Sequence, residues 1–218
     1  SGAGMFNNTG GSPTLANVTF SGNYAGYGGG MYNYQNAPTL TNVTFSANSA
    51  YREGGGMFND QSHLTLTGVT FSGNSAPAMG ARGGGMVSVQ SELSLSEVVF
   101  SDNQARRLGG GMINRSTYAT LTDVTFTGNQ AGESGWTGDG AGMVNGDSEV
   151  ILVDAVFSDN VTFLGGDGGG ILNGSSNLTV SNTTFSRNSA EYGGAINHQY
   201  SGDHSLNLTN VTFSGNAA

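Results

Sequence analysis

The stretch Thr65-Leu66-Thr67-Gly68-Val69-Thr70-Phe71-Ser72-Gly73-Asn74 decides the fold. Leu66, Val69 and Phe71 are spaced by Thr, and Gly68 interrupts the alternation. A period of two puts alternate side chains on one face of a strand. The stretch therefore reads as two short strands joined by a tight corner at Gly68, with Leu66, Val69 and Phe71 facing inward. Thr suits the outward positions because its branched side chain packs well on a pleated surface.

Outward from this stretch the pattern recurs. Phe71 has equivalents at Phe20, Phe45, Phe100, Phe126, Phe157, Phe185 and Phe213, each followed three residues later by Asn. The Phe-to-Phe spacings are 25, 26, 29, 26, 31, 28 and 28. A Gly-rich step leads into Met5, Met31, Met57, Met86, Met112, Met143, Ile171 and Ile196. From Met or Ile to Phe the distance is 15, then 14 six times, then 17, whereas from Asn to the next Met or Ile it runs from 8 to 14. A ladder of fixed length alternates with a variable loop, and in solenoids such insertions collect on one edge. The expected fold is all-β, a right-handed, single-stranded parallel β-helix forming one domain over residues 1–218. It should have about eight coils of 25–31 residues, with three short strands per coil. Phe, Leu and Val should stack in columns with a rise of ~4.8 Å per coil, and the Asn column should hydrogen-bond along itself and to turn backbone.

Composition narrows the function. Fifteen acids against six basic residues give a net charge of −9, and Lys and Cys are absent. Without a basic patch there is nothing to displace the counterions of nucleic acid or of anionic membranes. No apolar run approaches the ~20 residues that cross a bilayer, so membrane insertion is not expected. Lack of Cys removes thiol chemistry and fits a secreted or cell-surface setting.

Gly193-Gly194-Ala195-Ile196, Gly168-Gly169-Gly170-Ile171 and the eight Phe-x-x-Asn repeats resemble the repeats of the chlamydial polymorphic outer-membrane proteins. The resemblance covers the whole chain and implies a β-helical passenger acting as a surface adhesin.

Several groups of side chains bear on chemistry. Glu97, Asp123 and Asp154 share one bend in successive coils and could pair for acid–base work or hold Ca²⁺, although a solvated corner suits acids equally. Asp139 and Asp167 fall in neighbouring Gly-rich loops and are the weak metal candidates, again for Ca²⁺. His198 and His204 are read as a polar insertion of the last coil beside Asp203, and His63 stands apart. No basic residue is seen to accompany the acids, Arg reads as scattered through loops, and no nucleophile–base pair is evident, so neither enzyme activity nor a required cofactor is expected. Ten Asn-x-Ser/Thr sequons follow from Asn corners preceding Thr.

Three binding features remain. The neighbours of the Met/Ile column, Phe6, Tyr32, Phe58, Val87, Ile113, Val144 and Leu172, should form an outward apolar stripe, an assembly interface unless the loops fold over it. Trp136, in the longest loop, and Phe163 and Leu164, in the next, are candidates to grip a glycan or cell-surface partner. Thr39, Thr41, Thr65, Thr67, Ser94, Ser96, Thr120, Thr122, Thr179 and Ser181 form an outward hydroxyl array resembling the ice-binding faces of β-helical antifreeze proteins. The sequence opens and closes nearly in phase with its repeat and without caps, which suggests either a segment of a longer β-helix or self-association, head to tail or lateral. The reading is a non-catalytic extracellular structural or adhesive protein, a stalk or filament subunit. The alternatives are a polysaccharide-active enzyme and an ice-binding protein.

Overall fold

Each coil turns where one residue takes a left-handed conformation. Around the coil that opens at Gly54, φ is positive at Gly54, Gln61, Gly68 and Gly73. Strands Met57–Asp60, His63–Thr67, Thr70–Ser72 and Ser75–Ala76 run between or after these corners. At the third corner a Cβ meets only the flexible end of the neighbouring side chain, so Asn17, Asn42, Glu97, Asp123, Asp154, Asn182 and Asn210 serve there as well as Gly68; Asn and Asp tolerate this region better than other non-glycine residues.

The computed structural model describes residues 2–133, 135–199 and 203–218. Its strands stack in parallel into four sheets, which we name for their inward residues: Met, Leu, Phe and Ala. The first three have eight strands each and the fourth has six. No helix occurs among the described residues. Eight rungs make about seven full turns, one fewer than the eight coils expected. The right-handed parallel solenoid is as anticipated, with one correction: a coil has four strands, not three. The segment between Asn and the Gly step was read as loop, yet it begins with a short strand, from Tyr24–Tyr27 through Val161–Thr162. Its cause is a column two residues after Asn, in which Ala50, Ala76, Ala105 and Ala131 are fully buried.

The registers repeat without slippage through the first three sheets. Phe45, Phe71, Phe100, Phe126, Phe157 and Phe185 are fully buried, and successive rings stack face to face at 4.6–5.3 Å. Each buried ring contributes ~1.5–3 kcal/mol relative to an exposed one. The spacing requires thin neighbours. A Cβ on Gly55 would lie 2.4 Å from the carbonyl oxygens of Gly84 and Ser75, and one on Gly56 would lie 2.9 Å from the Phe71 ring. That is the physical content of the Gly-Gly-Gly-Met step.

Two amide ladders run along the axis. In the expected one, the Asn103 backbone N–H and Nδ2 both donate to Asn129 Oδ1, Nδ2 also donates to the Phe71 carbonyl, and Oδ1 accepts from Asn74. A second ladder stands inside the Met sheet, two residues after Met: Asn7, Asn33, Asn59, Ser88, Asn114, Asn145, Asn173 and finally His198. Asn59 Nδ2 donates to Ser88 Oγ, but the shorter Ser88 makes no bond onward and Asn114 Oδ1 is buried without a partner. His198, placed in a loop by the sequence reading, is instead the last rung of this ladder, with Nδ1 3.0 Å from Asn173 Nδ2.

Candidate functional site

Chemistry-bearing side chains gather where the Ala sheet passes back to the Met sheet. The residues just ahead of the left-handed Gly align through bridges Glu53–Arg82–Leu108–Asp139. The sharp Gly turn folds this column over the neighbours of the Met column. As a result the outward apolar stripe is a second small core: Phe58, Val87, Ile113 and Val144 are buried, with Tyr27, Tyr32, Val89, Leu108 and Leu172 packed on them. The assembly interface expected from Phe6 to Leu172 is corrected accordingly. Val87 and Ile113 are 0% and 1% exposed, and only Phe6, Tyr32 and Leu172 keep appreciable surface.

Beside this core lies an open groove of about 960 Å³. Tyr27, Tyr32 and Phe58 form its aromatic wall, and Glu53, Asp60, Gln90, Arg115 and Asp147 line the rest. Tyr27 and Phe58 meet at 5.1 Å and 60°, and Tyr32 and Phe58 stack at 5.3 Å. The Arg115 guanidinium binds the Glu53 carboxylate from two coils away, and Arg82 approaches its other oxygen at 3.9 Å. Burial raises the Asp60 carboxyl above its ordinary range, and Arg115 opposes that shift. Burial also lowers the Arg82 pKa, offset by Glu53, while the like charges of Arg107 and Arg115 press it further down. Burial raises the Tyr32 phenol, helped by the Asp60 charge.

Arginine is thus not scattered. Arg52, Arg82, Arg106, Arg107 and Arg115 all line this groove or the two hollows that continue it along the axis. The signal was present in part, because Arg52, Arg82 and Arg107 each precede a left-handed Gly by one or two residues.

The other expected residues are distributed as follows. Trp136 is 48% exposed and carries Arg106 over its ring at 5.1 Å. It lines a hollow with Met79, Arg106 and Arg107, and Phe163 and Leu164 are not among the residues lining that hollow. Glu97, Asp123 and Asp154 sit exposed at the third corner, equivalent to Gly68, as the solvated reading requires. Asp139 and Asp167 are neighbours, but each is engaged: Asp139 Oδ1 accepts the Asp167 backbone N–H and Asp167 accepts the Gln199 amide. A calcium shell needs six to eight oxygens, and no group of three His, Cys, Asp or Glu suited to a metal occurs among the described residues. The hydroxyl array aligns from Thr39 to Thr120, then meets Ile151. Beside it stand exposed Tyr118 and the His63–Glu92 pair at 2.9 Å, so the face is not flat.

A search of curated proteins found no match for the sequence. Against protein families, the right handed beta helix region matches residues 1–153 and 57–218, which together span the chain. With its stacked parallel sheets, the chain belongs to the right-handed β-helix family.

Proposed function

We propose that this chain is a non-catalytic, secreted or cell-surface structural and adhesive element, a stalk that holds a partner against the side of its coil stack. One observation carries the reading. The inside is filled by ring, aliphatic and amide columns, while aromatic and arginine side chains converge on one lateral groove. Such a division suits a rod that presents a binding face. An aromatic wall with a few convergent polar groups is what ligand sites generally share. The test is binding of the purified chain to source-cell envelopes and to immobilised glycans, together with protease shaving of intact cells. Retention on a glycan or envelope, and release of the chain by shaving, support the reading; an intracellular chain that binds neither refutes it. Self-association accompanies the stalk reading, and sedimentation over a tenfold concentration range measures it.

A polysaccharide-active enzyme is favoured by one specific feature, the raised carboxyl of Asp60 in an open groove beside Arg115. A carboxylic acid so placed is suited to donate a proton to a leaving oxygen. Incubation with acidic and neutral polysaccharides, read by reducing ends and by absorbance of unsaturated products, decides it. Turnover abolished by Asp60→Asn makes the chain an enzyme.

A further inference from the structure

The groove does not end at Tyr27 and Glu53. Those two residues also line a hollow of about 250 Å³ with Tyr51, Arg52, Met79 and Arg82, and a second hollow, also about 250 Å³, lies beyond Met79. Met79 and Gly80 form the common wall, and Arg106, Arg107, Trp136 and Thr137 complete the second hollow. Each hollow combines two guanidinium groups with an aromatic wall.

The charges in the two hollows are unevenly neutralised, and in the same way. Arg82 shares Glu53 with Arg115, and Arg106 pairs with Glu133 at 2.8 Å. Arg52 and Arg107, both exposed, pair with no acid among the described residues. Arg52 donates only to the Tyr27 hydroxyl, at 3.2 Å, and the Arg107 guanidinium makes no hydrogen bond or ion pair among the described residues, meeting the Asp139 carboxylate only at longer range. The chain's remaining cation, Arg187, lies outside both hollows and is clamped bidentately by Asp159. In a chain of net charge −9, two guanidiniums without an ion-pair partner, flanked by aromatics on one edge, form a local reversal of sign.

We propose that the two hollows are successive subsites for an acidic saccharide chain lying along the solenoid axis. Arg52 takes a carboxylate or sulfate in one and Arg107 takes the next in the other, while sugar faces lie against Tyr51 and Trp136. Bridges Glu53–Arg82–Leu108 put Arg52 and Arg107 two coils apart in equivalent positions, about 10 Å at ~4.8 Å per coil. That distance suits anionic groups two sugar residues apart on an extended chain. The planar guanidinium fits a carboxylate or sulfate with two parallel hydrogen bonds. An acidic peptide fits less well, because strand addition needs unpaired backbone, and along this side the backbone is already bonded coil to coil from Gly54 to Asp139.

This inference rests on the adhesive reading, and the test separates the two. Binding of the chain is measured calorimetrically to an oligogalacturonate, a heparin-derived oligosaccharide, a neutral xylo-oligosaccharide and a polyglutamate of matched charge. The first two arms distinguish carboxylate from sulfate. The variants are Arg52→Ser, Arg107→Ser, their pair, Trp136→Ala and, as a charge control on another face, Arg187→Ser; each is checked by circular dichroism. We expect an acidic oligosaccharide to bind, at least tenfold loss for each of Arg52→Ser and Arg107→Ser, a greater loss for the pair, and less than twofold for Arg187→Ser. Binding should weaken as salt rises. Equal affinity for polyglutamate, equal loss in Arg187→Ser, or binding indifferent to Arg52 and Arg107 overturns the subsites and leaves the adhesive reading standing. Failure of every glycan to bind overturns both the subsites and the glycan form of that reading.

Discussion

At the scale of single residues, stability lies in side chains that repeat one interaction in every coil. Asn103→Ala leaves the Asn74 backbone N–H without its acceptor and takes one donor each from the Phe71 carbonyl and Asn129 Oδ1. An unsatisfied buried polar group costs about 1–3 kcal/mol, so the variant should fall well below the parent in a thermal melt. Ser88→Asn should do the reverse. It supplies the amide that the unpartnered Asn114 Oδ1 lacks, and a gain of about 1 kcal/mol is expected in urea unfolding. Gly56→Ala should destabilise through contact with the Phe71 ring and the Gly85 carbonyl, whereas at Gly73, where a Cβ meets nothing within 4 Å, Asn should cost far less. Much of this was legible in the sequence: Phe and Asn at fixed spacing named the columns, and Asn or Asp at the bend named the corner. The second amide ladder was missed because its Asn residues follow Met at a position read only for its alternation.

Elements differ in how far their sequence discloses them. The Met, Leu and Phe strands have constant spacing and large inward side chains, so periodicity alone exposes them. Ala strands do not: the buried residue is small, and the distance to the next Gly step changes from coil to coil. Ala105→Leu should overpack the Ala column by about 1–3 kcal/mol, a cost measurable by chemical denaturation and absent for Gln104→Leu on the exposed face. Arginine clustering was hidden for a related reason, since it appears only after coils of unequal length are stacked in register. Where those loops meet, the Asp139 carboxyl is raised by burial, with the Asp167 N–H and Arg107 lowering it and the Asp167 charge raising it. Raised above its unfolded value, this carboxyl binds protons more readily in the folded chain, so its contribution to stability falls as pH rises through that interval. Asp139→Asn retains an acceptor for the Asp167 N–H, and should flatten the fall of Tm with pH just above the ordinary aspartate range.

For the molecule as a whole, the strands of each coil pair only with those of its neighbours, so length is negotiable. Gly83 and Gly109 are equivalent left-handed corners, and deleting residues 84–109 removes one coil without shifting any register. The shortened chain should fold, keep its circular dichroism per residue and lose roughly one repeat's share of the unfolding free energy. An aggregate or an unfolded product would mean that the coils are not interchangeable units. The interchangeability has a mechanical side. In parallel sheets the bonds between strands point along the stack, so a load applied to the two ends pulls on one rung's bonds at a time and peels the rod instead of shearing it. Every released coil of about 26 residues pays out roughly 90 Å of chain at ~3.4 Å per residue. A tether built this way yields in even steps under tension, lengthening many times over before it breaks.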